Sequence, residues 1–156
     1  MTQPDIKTDM DKIVDILSNI DYRLNWDEYF ISLAFLISKR SLCNRLHVGC
    51  ILVKDSRILG GGYNGFLAKA EHKSVIRNNH EQMTMHSEAN AISICAKLGI
   101  STENSIAYIT HYPCLNCFKI LASAGIKQIK YYNDYNNDEL VKDLALDVGI
   151  SVKQIK

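Results

Sequence analysis

The sequence lacks the features that mark membrane, secreted and fibrous proteins. No apolar run approaches the roughly 18 residues that a membrane-spanning helix needs, and the opening MTQPDIKTDMDK is too polar for a signal or transit peptide. Only two of the 156 residues are proline, and the composition excludes collagen-like and disordered chains. We therefore expect a single, compact, cytoplasmic domain over residues 1–156 with no membrane partner.

An excess of charge of one sign is also lacking. The chain carries 18 Lys and Arg against 17 Asp and Glu, which gives a formal net charge of +1. Long nucleic acids bind most tightly to a strongly basic surface, because neutralising their phosphates releases condensed counterions. We therefore expect no polynucleotide partner.

The five cysteines are odd in number, and no secretion signal accompanies them, so a disulfide framework is not expected. Cys43, Cys50 and Cys95 are scattered, whereas Cys114 and Cys117 form a Cys-x-x-Cys pair. Two close thiols in a reducing compartment favour metal binding or redox chemistry. The pair therefore marks a candidate functional site.

Hydrophobic periodicity predicts an α/β fold. It predicts helices over 9–20, 26–39, about 85–98, 114–124 and about 138–148, and strands over 48–53, 57–63, 105–110, 126–132 and 150–155. Residues 65–83 are polar and aperiodic, and they are predicted as a long loop of the kind that is usually functional. A hairpin followed by alternating helices and strands predicts a three-layer α/β/α sandwich with a mixed five-stranded sheet. Residues 1–24 are expected to form an N-terminal extension with a short helix.

The residues that carry chemistry lie at the starts of two predicted helices. His86 begins one helix, and Cys114 and Cys117 lie in the first turn of the next. Side chains three residues apart on a helix share a face, so both thiolates can reach one ion. One imidazole and two thiolates make the three protein ligands that a catalytic zinc uses when water takes the fourth position. The positive ends of both helices favour the thiolate forms.

Glu88 is outside this ligand set, yet it lies two residues from His86. A carboxylate beside zinc-bound water can take up a proton and pass it on, since zinc lowers the pKa of that water to about 7. His-x-Glu together with Pro-Cys-x-x-Cys is the signature of zinc-dependent nucleobase deaminases. A redox Cys-x-x-Cys pair and a structural zinc site are the alternatives. A redox pair is disfavoured because the sequence around the cysteines is not thioredoxin-like. A structural zinc site is disfavoured because no fourth Cys or His lies nearby.

Segments spread over most of the chain, from about residue 26 to residue 155, resemble the cytidine and deoxycytidylate deaminase superfamily, and most of all its deoxycytidylate (dCMP) deaminases. The segments that carry the resemblance are WDEYF at 26–30, RSLCNR at 40–45, VGCILVKDSRI at 48–58, GYNG at 62–65, HSEANAI at 86–92, YITHYPCLNC at 108–117 and AGIKQIKYY at 124–132. The resemblance implies a cytidine deaminase-like fold. It also implies one catalytic zinc on His86, Cys114 and Cys117.

The reaction that the resemblance implies is the hydrolysis of dCMP to dUMP and ammonia, which supplies dUMP for thymidylate synthesis. Water activated by zinc attacks C4 of the pyrimidine, while Glu88 protonates N3 and then relays a proton to the departing amino group. Thr110 and the backbone amide of Ala89 are expected to help define the floor of the pyrimidine pocket.

Two other functions stay open. One is a deaminase that acts on dCTP or on another cytosine nucleotide or nucleoside. The other is a non-catalytic zinc module that binds single-stranded nucleic acid. Glu88 argues against the module, because a purely structural zinc site has no use for that carboxylate.

The resemblance further implies a set of nucleotide contacts. Asn64 of the GYNG segment matches a residue that contacts the sugar hydroxyl, and Tyr135 resembles one that lines the nucleotide pocket. Arg45 and His80 resemble residues that contact the phosphate. Arginine suits this role, because its planar guanidinium can donate two parallel hydrogen bonds to a phosphate.

Cofactor number, effectors and assembly are expected from the resemblance alone. Some relatives bind a second, structural zinc, for which only Cys43, His72 and His80 would remain here, and this scattered set favours a single zinc per chain. Activation by dCTP, inhibition by dTTP and a homohexameric assembly are common in the family and are expected on that ground.

Overall fold

The structure, a computed structural model, describes residues 6–156, so residues 1–5 of the expected N-terminal extension lie outside it. Its helices are α1 (Ile6–Ser18), α2 (Trp26–Ser38), α3 (Ser87–Leu98), α4 (Leu115–Ser123) and α5 (Glu139–Val148). Its strands are β1 (Gly49–Lys54), β2 (Arg57–Tyr63), β3 (Gly65–Phe66), β4 (Ile76–Arg77), β5 (His80–Glu81), β6 (Thr84–Met85), β7 (Ile106–His111), β8 (Gln128–Asn133) and β9 (Ser151–Gln154). None of the helices in this described part has the length and apolar character needed to cross a membrane.

The central sheet has five strands in the order β2-β1-β7-β8-β9. Strand β1 is antiparallel to both of its neighbours, whereas β7, β8 and β9 are parallel to one another. Asp55 and Ser56 connect β1 to β2 with φ angles of 49° and 58°, the left-handed pair that a two-residue hairpin turn requires. Helices α4 and α5 connect the parallel strands. The mixed five-stranded sheet predicted from the sequence is confirmed.

Alternation along β1 divides the core between the two faces of the sheet. Cys50 and Leu52 pack in the cluster that includes side chains of α3, α4 and α5. Ile51 and Val53 pack in the cluster that includes α2 and Tyr108. Helices therefore cover both faces, as the predicted three-layer sandwich requires.

Residues 65–83 were predicted as a loop, and the structure corrects this prediction. The segment contributes to two small antiparallel ladders, β3 with β6 and β4 with β5. Asn78 and Asn79 join β4 to β5 with φ angles of 49° and 61°, and asparagine is among the residues that tolerate this conformation best. Strands of two residues are too short to show a hydrophobic period. The local sequence signal for the β4–β5 hairpin is therefore its Asn78–Asn79 turn.

Asp27 ties the first turn of α2 to the central sheet. Its Oδ1 accepts hydrogen bonds from Lys130 Nζ at 2.6 Å and from the Tyr108 hydroxyl at 2.7 Å. Burial alone would raise the pKa of the Asp27 carboxyl, but the hydrogen bonds from Lys130 and Tyr108 outweigh it and hold this pKa below its usual value. The Asp27 contribution to stability is therefore present above the unfolded-state pKa of about 4 and is lost as the pH falls through the folded-state pKa.

We expect the substitution Asp27→Asn to lower the free energy of unfolding by about 1–2 kcal/mol at pH 7, because it weakens two hydrogen bonds to a charged acceptor. The loss should shrink as the pH is lowered from 7 toward 3, because the carboxyl of the unfolded chain, with a pKa of about 4, takes up its proton first and the advantage of the charged form declines. Urea unfolding at the two pH values measures both effects, with the exposed Asp143→Asn as the control. An equal loss at both pH values would show that the charge of Asp27 is not what stabilises the contact.

Candidate active site

Two helix starts meet beside the edge where β7 ends. His86 is the N-cap of α3 and Cys114 is the N-cap of α4, and both have extended backbone angles. The Cys114 Sγ accepts a hydrogen bond from the backbone N–H of Cys117 at 3.5 Å. The partial positive charge of a helix N-terminus stabilises the thiolate form of a capping cysteine.

Gly62 lets α3 bring this N-terminus against the sheet. A Cβ atom at Gly62 would lie 2.4 Å from the backbone oxygen of Ser87 and 2.5 Å from the backbone nitrogen of Ala91. Both atoms belong to the backbone of α3, so a side chain at Gly62 would push away the turn that carries His86 and Glu88. Gly62, the first glycine of the GYNG segment, therefore positions the site.

The distances among the three predicted ligands fit one zinc ion. His86 Nδ1 lies 3.6 Å from Cys114 Sγ and 3.4 Å from Cys117 Sγ, and all three atoms lie within 4.8 Å of one another. Tetrahedral zinc, with Zn–N near 2.0–2.1 Å and Zn–S near 2.3 Å, holds its nitrogen and sulfur ligands about 3.5 Å apart. One imidazole and two sulfurs are also the ligand types that zinc favours over magnesium or calcium.

A second metal group of this kind is not found among residues 6–156. Cys43, His72 and His80, which the sequence left as ligands for a structural zinc, do not come together there. Instead, the His72 ring stacks on Phe66 at a centroid distance of 5.0 Å.

Hydrogen bonds among the three ligand side chains shift their pKa values. The hydrogen bond with the Cys117 thiol, together with one from His86, lowers the pKa of Cys114 to about 4. The hydrogen bond with Cys114, together with burial, raises the pKa of Cys117 far above its usual range. The hydrogen bond with Cys114 also raises the pKa of His86. Because a coordinating thiol is deprotonated outright, zinc binding must release protons from this cluster.

Glu88 is almost fully buried beside the ligands, with 4% of its surface exposed. The hydroxyl of Ser87 donates a hydrogen bond to Glu88 Oε2 at 2.9 Å. Burial raises the pKa of the Glu88 carboxyl, although the hydrogen bond from Ser87 opposes the shift. A raised carboxyl pKa is suited to a group that must both accept and donate a proton near neutral pH.

A cavity of about 290 Å³ opens onto these groups. It brings together seven of the residues that the sequence predicts for the site: Arg45, Asn64, His80, His86, Glu88, Cys114 and Tyr135. Cys117 is buried and reaches the ligand cluster through its sulfur. Ala89 and Thr110, which were expected at the pyrimidine floor, are not among the lining residues.

Asn64 holds the chain that passes along one side of the cavity. Its Oδ1 accepts a hydrogen bond from the Val48 N–H at 2.8 Å, and its Nδ2 donates one to the Leu46 carbonyl at 2.7 Å. A carboxamide has two donor hydrogens and two acceptor lone pairs, so each end of Asn64 keeps one free for a ligand.

Arg45 lies at the cavity together with the β4–β5 turn and Tyr135. Its Nη2 donates a hydrogen bond to the Tyr135 hydroxyl at 3.1 Å, and its Nη1 donates one to the backbone oxygen of Asn79. Glu81 holds the same segment, because its carboxylate accepts hydrogen bonds from the backbone N–H of Val75 at 3.2 Å and of Met83 at 2.8 Å. The segment predicted as a functional loop thus forms part of the cavity wall.

Several lining residues were not predicted from the sequence. They include Glu81, His111, Tyr112 and Asp138. His111 and Tyr112 come at the carboxyl end of β7, the edge of an α/β sheet at which ligands bind. That position is the signal that could have found them, once the strand was placed.

Three zinc-type ligands at helix N-termini and a buried carboxylate, placed on an α/β/α sandwich, define the class of zinc-dependent deaminases. The comparisons with known proteins agree with this class. The sequence model described as "Cytidine and deoxycytidylate deaminase zinc-binding region" matches residues 24–133. The chain belongs to the cytidine and deoxycytidylate deaminase family.

Two curated relatives are similar to this chain over most of its length. ComE operon protein 2 of Bacillus subtilis is 38% identical over 138 residues, which cover 86% of this chain and 73% of that protein. Deoxycytidylate deaminase of Schizosaccharomyces pombe is 30% identical over 152 residues, which cover 90% of this chain but only 47% of that protein.

Among solved structures, the crystal structure of the dCMP deaminase from cyanophage S-TIM5, in complex with dCMP and dUMP, superimposes with a TM-score of 0.76. It is 31% identical, and the match covers 86% of this chain and 99% of that one. The cytidine deaminase-like fold expected from the sequence is confirmed.

Proposed function

We propose that this protein catalyses the zinc-dependent hydrolysis of dCMP to dUMP and ammonia. The observation that carries the proposal is the buried Glu88 carboxylate beside a three-ligand zinc site, in a cavity that also holds the Arg45 guanidinium. The names of the relatives and the dCMP and dUMP bound in the cyanophage enzyme support the choice of substrate.

His86, Cys114 and Cys117 would hold the zinc ion, which supplies Lewis acidity that lowers the pKa of a coordinated water. Glu88 takes a proton from the attacking water and delivers it to N3 of the pyrimidine. It then carries the second proton to the exocyclic amino group, so that ammonia leaves and the C4 carbonyl of dUMP forms. Because Glu88 is buried, it exchanges these protons with the substrate rather than with bulk water.

The nucleotide contacts form part of the proposal. Arg45, His80 and Tyr135 supply donors for the 5′-phosphate, and the free donor and acceptor of Asn64 suit a sugar hydroxyl. The pyrimidine would lie between these groups and Glu88.

The phosphorylation state of the substrate is the open alternative, since a dCTP deaminase would use the same zinc chemistry. Glu81 and Asp138 also line the cavity. Their carboxylates oppose the additional negative charge of a triphosphate, which favours the monophosphate.

Ammonia release from dCMP, dCTP and deoxycytidine, measured side by side with the zinc-loaded protein, tests the proposal. We expect kcat/KM for dCMP to exceed that for deoxycytidine by at least about tenfold, equivalent to one charge-assisted hydrogen bond. It should also exceed that for dCTP, because the cavity carboxylates oppose the added charge. A preference for deoxycytidine would contradict the assignment of a nucleotide monophosphate. A failure to release ammonia from all three would contradict the enzyme, and oligonucleotide binding at physiological salt would then favour the zinc module.

Assembly, regulation and location are further parts of the proposal. Helix α1 leaves large apolar side chains exposed, among them Ile13, Val14, Ile16 and Leu17, and a second copy of this chain would remove them from water. A homo-oligomer is therefore proposed, with the hexamer of the family as its expected size. Control by dCTP and dTTP and a cytoplasmic location remain predictions.

A further inference from the structure

Thr110 and His111, at the carboxyl end of β7, form a hydrogen-bonded pair that leads from the sheet to the cavity. Thr110 is fully buried, and its Oγ1 accepts a hydrogen bond from the backbone N–H of Gly49 at 3.1 Å. The same oxygen lies 2.8 Å from His111 Nδ1. The ring of His111 is half-buried and lines the cavity.

The contact at Gly49 leaves the Thr110 hydroxyl one hydrogen and one lone pair for its other partners. A backbone N–H can only donate, so Thr110 uses a lone pair there and keeps its own hydrogen. Among the residues that the structure describes, His111 Nδ1 is the one acceptor recorded for that hydrogen. Thr110 therefore donates to Nδ1, and a neutral ring must carry its proton on Nε2. Burial lowers the pKa of His111, which favours the neutral ring.

The neighbours of His111 in the cavity are also donors. Its ring meets that of Tyr135 edge to face at a centroid distance of 5.9 Å. The Tyr135 hydroxyl accepts from Arg45 Nη2 at 3.1 Å, so its own hydrogen stays free to be donated. Arg45, Tyr135 and His111 thus form a wall of donors beside one positive charge, which is the arrangement that an anion such as a phosphate requires.

We propose that His111 donates a hydrogen bond from Nε2 to the 5′-phosphate of the nucleotide, and that Thr110 is a positioning residue that fixes the required tautomer. The inference rests on the proposed function and deepens it by naming a group that selects a phosphorylated substrate. It also gives Thr110 a role different from the pyrimidine floor expected from the sequence. Arg45 supplies the long-range attraction, while the neutral His111 supplies a donor of fixed direction.

The tautomer is tested by ¹⁵N NMR of the histidine rings in the zinc-loaded protein. We expect His111 to show the pattern of a neutral ring protonated on Nε2. Thr110→Ser should retain this pattern because it keeps the hydroxyl, whereas the nearly isosteric Thr110→Val should lose it. A wild-type ring protonated on Nδ1 would overturn the proposal.

Phosphate recognition is tested by calorimetric binding of dUMP and deoxyuridine, which requires no turnover. We expect His111→Leu to weaken dUMP binding about tenfold more than deoxyuridine binding, the worth of one charge-assisted hydrogen bond. His111→Gln, whose amide can place a donor near the position of Nε2, should recover part of the loss. The control is His72→Gln, because His72 stacks on Phe66 and is not among the cavity-lining residues.

The outcomes separate this inference from the proposed function. Equal weakening of dUMP and deoxyuridine by His111→Leu would overturn the phosphate contact even if the wild-type protein deaminates dCMP. A wild-type protein that releases no ammonia from dCMP, yet shows the selective loss of dUMP binding in the variant, would contradict the reaction and uphold the contact.

Discussion

The zinc-loaded variant Glu88→Gln should retain one zinc ion per chain and bind dCMP, yet turn over at least about 10³-fold more slowly than the wild type. The magnitude follows from the usual contribution of a general acid–base group, about 10²–10⁴-fold, and from the two proton transfers assigned to this one carboxylate. Glutamine keeps the size of the side chain and can still accept the Ser87 hydrogen bond, but it cannot take up a proton from water.

Single-turnover measurement of dUMP formation, with zinc content determined on the same samples, checks this expectation. Glu71→Gln is the matched control, because Glu71 is exposed and is not among the residues that line the cavity. Turnover of Glu88→Gln within tenfold of the wild type would remove Glu88 from the proton-transfer role. A loss of zinc together with activity would instead assign Glu88 to the metal site.

Cys117→Ser should abolish zinc binding at micromolar protein, to less than about a tenth of the wild-type content, and activity should fall with it. A serine hydroxyl does not ionise near neutral pH, so the substitution replaces a soft thiolate by a weak neutral oxygen. Two protein ligands, His86 and Cys114, would remain, fewer than the three that a catalytic zinc site uses.

Zinc analysis of Cys117→Ser beside Cys43→Ala separates the ligand from an ordinary buried thiol. Cys43 is buried, but it lies outside the group of three ligand atoms, and its removal should leave one zinc per chain. Retention of full zinc by Cys117→Ser would contradict the assigned ligand set. A drop of one zinc in Cys43→Ala, from two to one, would establish the second metal site that the sequence disfavoured.

The sequence was informative wherever a local pattern sets the structure. The apolar run over 48–53 predicts a buried strand, and a strand directs Cys50 and Leu52 to the face opposite Ile51 and Val53. The succession of helices and strands that makes β7, β8 and β9 parallel is likewise visible in the sequence. The two small ladders within residues 65–85 were missed because strands of two residues are too short to show a hydrophobic period. Their geometry comes from the Asn78–Asn79 turn and from the contacts of Glu81.

The site shows the same division between local and tertiary information. His86, Glu88, Cys114 and Cys117 could be predicted together, since each lies within three residues of a helix start and their spacing is encoded locally. Thr110 was expected at the pyrimidine floor, and its hydrogen bond from the Gly49 N–H could not be predicted, because only the neighbouring strand supplies that donor. The hydrogen bond between Ser87 and Glu88 and the donors facing the cavity likewise depend on side-chain directions that a linear sequence does not specify.

Titration of zinc into the metal-depleted protein, with dUMP formation from dCMP followed at each step, tests the central claim most directly. The rate should rise in proportion to added zinc and level off at one ion per chain. Full activity of the metal-depleted protein, or a reconstituted protein that holds one zinc and forms no dUMP, would contradict it.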